Sequence, residues 1–207
     1  MGDIFRGLEV VEHCAAIPSL IQGESLQNVS KDMDIVSYRE PLGITAGITP
    51  FNFPAMIPLW MFPIAITCGN TFILKPSERV TGASVFLMEL LKMTGIPKGV
   101  VNMINGGKPA VDMILQSKSI RAVSFVGSSK VGDYIYKEGT KNDKRVQSNG
   151  QAKNHTVILP DSNKETVINQ LIGAAFGACG QRCMALSVAI FVGETKTWIG
   201  DLVERSK

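Results

Sequence analysis

Gly43-Ile44-Thr45-Ala46-Gly47-Ile48-Thr49-Pro50-Phe51-Asn52-Phe53-Pro54 reads as a short apolar strand running into a turn fixed by two prolines. The grammar then repeats. Phe53 to Cys68 is nearly all apolar and reads as a buried helix interrupted by Pro54, Pro58 and Pro63. Thr71–Leu74 is a second strand, followed by a helix from about Thr81 to Met93 that Gly95 and Pro97 end. Val100–Ile104 is a third strand, with a short helix over Ala110–Gln116. Ala122–Val126 is a fourth, with a helix from Ser129 to about Glu138, and Arg145–Gln147 a fifth. Strands alternating with helices across short connections predict an α/β fold, a parallel sheet covered by helices on both faces.

Outward from this block the pattern changes. Residues 4–22 read as the end of a helix with Ile4, Leu8, Val11 and Ala15 on one face, so the chain is expected to begin inside an element. Residues 24–41 alternate around polar turns and predict a hairpin. After Asn149-Gly150 the alternation restarts as strand 156–159, helix 164–177, a cysteine loop, strand 187–192 and helix 195–206. This places a boundary near residue 150, between a nearly whole domain at 1–150 and a domain at 151–207 that looks truncated.

Composition narrows the function. The 207 residues are 45% apolar and 19% charged, as in a soluble globular protein with one sizeable core. A net charge of +3 with no basic block gives no footprint for nucleic acid. The apolar run at 53–68 is shorter than the ~18 residues of a membrane span and is broken by proline. Cys14, Cys68, Cys179 and Cys183 form no secreted-type framework, which points to a reducing compartment. Cys179 and Cys183 lack the second Cys/His pair that a tetrahedral metal site needs. Met1-Gly2-Asp3-Ile4-Phe5-Arg6 fits neither a myristoylation pattern nor a transit presequence.

Four stretches carry chemistry. Pro50-Phe51-Asn52-Phe53-Pro54 follows a strand, where open α/β sheets bind ligands, and Asn52 can donate to a developing oxyanion or merely satisfy an Asx-turn. Lys75-Pro76-Ser77-Glu78-Arg79 also follows a strand. There Glu78 can accept from ribose hydroxyls and repel a 2′-phosphate, with Lys75 donating to the same sugar; the alternative is a charged helix start. Phe125-Val126-Gly127-Ser128-Ser129-Lys130-Val131-Gly132 offers helix N–H groups to a pyrophosphate, or is a tight turn capped by Ser128. Gly177-Ala178-Cys179-Gly180-Gln181-Arg182-Cys183-Met184-Ala185-Leu186 sets a cysteine beside glycine and arginine, a setting for a reactive thiolate or for a buried structural cysteine.

In order, these stretches and Ala152-Lys153-Asn154-His155 resemble the aldehyde dehydrogenase superfamily, most nearly its CoA-acylating semialdehyde branch, along essentially the whole chain. The resemblance implies a Rossmann-like NAD domain, a catalytic domain and an oligomerisation arm, usually in homo-oligomers. It makes Cys183 the nucleophile, Asn52 the oxyanion donor, and Thr49, Phe51, Lys75, Glu78, Arg79 and Ser128 the NAD-binding residues, with alanine expected where Thr49 stands. It further implies malonate and methylmalonate semialdehydes as substrates, coenzyme A as cosubstrate, acetyl- and propionyl-CoA as products, and a mitochondrial role in valine and pyrimidine catabolism. Where hydrolytic relatives carry a glutamate that activates water, this chain has Asn149, which takes no proton; that fits acyl transfer to CoA, although Asn-Gly is also a turn dipeptide.

Two departures follow from the same resemblance. Gln151 stands where glycine is expected, and a left-handed backbone there would be strained by about 1 kcal/mol. The chain also stops 24 residues after Cys183, short of the family's further catalytic and oligomerisation segments. Two alternatives therefore stand beside the enzyme: an inactive polypeptide that at most binds dinucleotide or pairs with full-length subunits, and a thiol acyltransferase without redox chemistry.

Overall fold

The computed structural model describes residues 2–207. They form two compact units, one running to Gly150 and the other Gln151–Lys207.

The first unit opens with α1 (Gly2–Cys14), α2 (Ile17–Leu20) and an antiparallel ribbon of β1 (Ser25–Ser30) and β2 (Met33–Val36). The body follows as β3 (Ile44–Ile48), α3 (Met56–Thr67), β4 (Thr71–Lys75), α4 (Gly82–Met93), β5 (Val101–Met103), α5 (Lys108–Gln116), β6 (Ile120–Val126), α6 (Ser129–Lys141) and β7 (Arg145–Asn149). The five strands pair in parallel in the order β5-β4-β3-β6-β7. The expected α/β sheet is thus present, with the predicted hairpin before it.

The strand period of two sorts side chains between two cores. Ala46, Ile48, Val123 and Phe125 pack with Val111, Ile114 and Leu115 of α5 and Ile135 of α6. On the other face Phe72 and Leu74 pack with Phe62 of α3 and, further out, Met88 and Leu91 of α4. The right-handed rule for parallel crossovers accounts for this split, because the chain runs outward from β3 first through β4 to β5 and then through β6 to β7. No helix of the described residues is long and apolar enough to cross a membrane.

One expectation fails in α1. Ile4, Leu8, Val11 and Ala15 are exposed, and the helix buries Gly7 and Cys14 instead. Glycine decides the face: a Cβ at position 7 would lie 2.6 Å from Leu59 Cδ1, so only glycine lets α1 lie this close to α3. The two helices run side by side, with Trp60 Nε1 donating to the Arg6 carbonyl at 3.2 Å.

The second unit holds β8 (Asn154–Ile158), α7 (Lys164–Phe176), a 3₁₀ turn (Gly177–Gly180), β9 (Leu186–Phe191), a second 3₁₀ segment (Gly193–Trp198) and α8 (Ile199–Arg205). β8 and β9 pair in parallel. The single helix expected over 195–206 is therefore two pieces. Buried Thr195 sits in the first of them, its hydroxyl donating to the Val192 carbonyl at 2.9 Å.

Candidate active site

The sheet register makes neighbours of loops far apart in sequence. Ile48 at the end of β3 lies opposite Lys75 of β4 on one side and Phe125 of β6 on the other. Helices leave β3 and β6 on opposite faces, so the crevice of an open α/β sheet falls at these carboxyl ends. Lys75 ends β4, and Thr49, Phe51, Asn52, Glu78, Arg79 and Ser128 sit in the loops along this same edge.

Each loop is anchored differently. The Thr49 N–H extends the ladder by donating to the Lys75 carbonyl at 3.1 Å, while its buried Oγ1 makes no hydrogen bond. Phe51 is partly exposed, and the Arg79 guanidinium carbon stands 5.5 Å from its ring centroid, joining the loops after β3 and β4 by a cation–π contact. Asn52 is half-buried beside it. The far end of this loop is held by two groups from elsewhere. The Asp3 carboxylate accepts the Ala55 and Met56 N–H groups at 3.1 and 2.9 Å, and the fully buried Ser84 hydroxyl donates to the Pro54 carbonyl at 3.2 Å. Asp3 thus caps α3, whose own N-cap residue, Ala55, has no side chain able to do so.

Lys75 is buried and its Nζ donates to exposed Glu78 Oε2 at 3.1 Å. The Glu78 backbone N–H, and after it Lys75, hold the Glu78 carboxyl below the ordinary glutamate range. The carboxylate is therefore a ready acceptor at neutral pH, and the lysine charge beneath it is already matched.

Ser128 occupies the N-cap position of α6, but its side chain makes no capping bond, so a serine-capped turn is not what the structure contains. The first-turn N–H groups of α6 are left without a Ser128 hydroxyl acceptor, which suits an anionic ligand. Gly127 is required by packing: a Cβ there would meet the Phe125 ring at 2.5 Å. The Gly127 N–H donates to the Asn149 carbonyl at 3.1 Å. Asn149 itself is the last residue of β7, opposite Val126, and not part of a two-residue turn. Gln151 is not among the left-handed residues, so the backbone strain anticipated there is absent.

That strain lies instead in the cysteine loop of the second unit. Ala178, Cys179 and Gly180 have φ of 53°, 55° and 68°, and the Gln181 N–H closes a turn on the Ala178 carbonyl at 3.0 Å. Two central residues with positive φ make this a turn of type I′ sense, with cysteine at a position that favours Asn or Gly. A second turn follows at once. The Ala185 N–H donates to the Arg182 carbonyl at 3.1 Å, which puts Cys183 and Met184 at its two central positions, both exposed. Asn154 Nδ2 donates to the carbonyls of Cys183 at 2.8 Å and Ala185 at 3.0 Å. The Arg182 guanidinium lies on Gly177, with Nη1 3.5 Å from the Gly173 carbonyl. Cys183 is therefore no packed structural cysteine: its thiol is free, exposed and carried at the tip of a clamped turn.

Three anchoring residues escaped the reading of the sequence. Asp3 and Ser84 gave no signal, since their partners lie 52 and 30 residues away. Asn154 lies within Ala152-Lys153-Asn154-His155, but nothing in the order of residues indicates that its amide reaches 29 residues to the Cys183 carbonyl.

The aldehyde dehydrogenase family profile matches residues 1–206. A probable methylmalonate-semialdehyde/malonate-semialdehyde dehydrogenase [acylating], mitochondrial, from Aedes aegypti is 65% identical across the whole chain, which covers 40% of that protein. The human methylmalonate-semialdehyde/malonate-semialdehyde dehydrogenase [acylating], mitochondrial, is 59% identical, with 38% of it covered. A putative methylmalonate-semialdehyde dehydrogenase from Sinorhizobium meliloti, solved with NAD, superposes with a TM-score of 0.95 at 51% identity, over 98% of this chain and 42% of that one. The chain thus spans about two fifths of the length of these relatives. With fold, ordered motifs and an exposed cysteine loop in agreement, the chain belongs to the aldehyde dehydrogenase family.

Proposed function

We propose that the chain provides the dinucleotide-binding and nucleophile-bearing part of an NAD-dependent, CoA-acylating oxidation of malonate and methylmalonate semialdehydes to acetyl- and propionyl-CoA. The carrying observation is the edge of the sheet, where Lys75 ends β4 and Thr49, Phe51, Glu78, Arg79 and Ser128 occupy adjoining loops, with an ionised carboxylate and a helix start that the Ser128 side chain does not cap among them. These groups suit NAD: the Glu78 carboxylate would accept from a ribose hydroxyl and repel a 2′-phosphate, and the α6 N-terminus would hold the pyrophosphate. Residues up to Gly150 then act as the NAD-binding domain and Gln151–Lys207 as the start of the catalytic domain. When bound there, NAD supplies the acceptor for the aldehydic hydrogen and its electron pair.

The protein's own steps follow from charge. The Cys183 thiolate forms a C–S bond to the aldehyde carbon, and the carbonyl oxygen takes up the negative charge. The Asn52 amide donates to that oxyanion. Oxidation leaves an acyl group on Cys183 as a thioester. Asn149 has no basic oxygen with which to activate water, so the acyl group passes to the thiol of CoA, and CO2 is lost on the way to the product. The relatives' names support the semialdehyde and the acylating step, and they support a mitochondrial location. Homo-oligomeric assembly belongs to the same reading.

The test mixes the purified chain with NAD, CoA and malonate semialdehyde and follows NADH and acetyl-CoA together. Equal formation of both is expected, and NADH that accumulates without CoA would overturn the acylating step. A second reading is dinucleotide binding without turnover. It predicts saturable NAD binding by calorimetry and no NADH.

A further inference from the structure

We propose that Asn154 is a positioning residue for the Cys183 thiol, its amide fixing the turn on which the sulfur is presented. This rests on the reading of Cys183 as nucleophile. The geometry is specific to that turn. One Nδ2 supplies both amide protons, to the Cys183 carbonyl at 2.8 Å and to the Ala185 carbonyl at 3.0 Å, on either side of exposed Met184. The turn's own bond, Ala185 N–H to Arg182 carbonyl at 3.1 Å, lies between the same residues. The cysteine is thus held from inside by the chain and from outside by one side chain.

Arg182 ties the start of the turn back to the Gly173 carbonyl at 3.5 Å, while the Cys183 and Ala185 carbonyls are the part that Asn154 holds. Ahead of the turn stand Ala178 and Cys179, in left-handed conformations that β-carbon-bearing residues adopt unwillingly, so that side supplies strain and not support. After it, the parallel register begins with Asn154 opposite Leu186 and shifts before His155 pairs with Val188, so regular pairing starts only beyond the turn. His155 does not substitute: its Nδ1 lies 2.7 Å from the Lys153 carbonyl. Two N–H donors aimed at carbonyl oxygens also balance the negative ends of the dipoles beside the thiol. Removing them, or replacing them with a carboxylate, disfavours a thiolate at the same position.

Alkylation by iodoacetamide tests this without cofactor. The full chain is labelled across pH 6–10, and Cys183 is followed by peptide mass mapping so that exposed Cys179 is counted separately. Asn154→Ala is expected to slow Cys183 labelling at neutral pH about tenfold and to move its pH midpoint upward. Asn154→Asp, of nearly the same size, is expected to move the midpoint further, and Asn154→Ser, which keeps one donor, to recover part of the rate. Cys179 labelling should stay unchanged in all three. A purely structural Asn154 would lower the melting temperature and leave the Cys183 pH profile where it was, and that result overturns the proposal. If Asn154→Ala loses its cooperative melt, Asn154→Ser decides: an intermediate rate supports the proposal and a parental one overturns it. A parent chain whose Cys183 reacts no faster than glutathione sinks the nucleophile itself and this inference with it. A reactive parent indifferent to position 154 sinks the inference alone.

Discussion

The edge loops of the first unit and the cysteine loop of the second present reactive groups by opposite means. The edge loops inherit their positions from a five-stranded sheet, and buried groups reinforce them: Lys75 under Glu78, Asp3 on the α3 N-terminus, Ser84 on the Pro54 carbonyl. The cysteine loop has two strands behind it, carries two strained non-glycine residues, and rests on the Asn154 amide at its Cys183 turn and on Arg182 reaching back to the Gly173 carbonyl. Redundant anchoring makes the first region tolerant of one lost contact. Sparser anchoring, with one amide on the Cys183 turn itself, makes the second more sensitive to that loss.

The comparison breaks most sharply at the thiol. Cys183→Ser is expected to lower NADH formation by about 10³-fold or more, since removing a nucleophile leaves only binding and orientation. NAD affinity, measured by calorimetry, should be unchanged, and a parallel loss of binding would show that the two regions do not divide the work as proposed.

Next in size is the cap. Asp3→Ala leaves two partly buried N–H groups of α3 without an acceptor and should destabilise the first unit by about 2 kcal/mol in urea titration. Asp3→Asn keeps one acceptor and should retain more than half of that stability. Because Ser84 still holds Pro54, NAD affinity should fall less than threefold in either variant, and a larger fall would argue against redundancy.

Glu78→Gln sharpens the same point at the ligand. Losing a charged acceptor should weaken NAD about tenfold and narrow its advantage over NADP, in titrations followed by calorimetry. The pH sign follows from the depressed carboxyl. The Glu78 backbone N–H and, after it, Lys75 stabilise the ionised carboxylate in the fold above the ordinary glutamate range, about 4.3, and that contribution is lost as pH falls through the lower folded value. NAD affinity should therefore stay flat down to about pH 5.

The smallest effect lies at the opposite end of the sheet. Buried Lys144 donates to the carbonyls of Ser117 and Ile120, tying the starts of β6 and β7 together. Burial pushes its ammonium below the usual lysine value. The unfolded chain then binds more protons between the depressed value and about 10.4, so stability rises with pH through that window. Lys144→Met should remove this alkaline slope in denaturation curves and leave NAD affinity intact.

The strand–helix alternation was legible because it is local: period-two strands, proline and glycine stops, and apolar helices each sit within a few residues of their own signals. Motif order likewise placed Thr49, Phe51, Asn52, Lys75, Glu78, Arg79 and Ser128 after strands. What the sequence alone misjudged depends on contacts between distant residues. The α1 stripe of Ile4, Leu8 and Val11 looked like a buried face, but close approach to Leu59 selected Gly7. Gln151 looked strained, yet the left-handed residues proved to be Ala178 and Cys179. Residue order thus determined which elements form and which side chains follow the strands at the sheet's carboxyl edge, through periodicity and turn chemistry that act over short range. Only the tertiary structure decided which partners hold those side chains, because the bonds from Asp3, Ser84 and Asn154 join positions that folding alone brings within 3.2 Å.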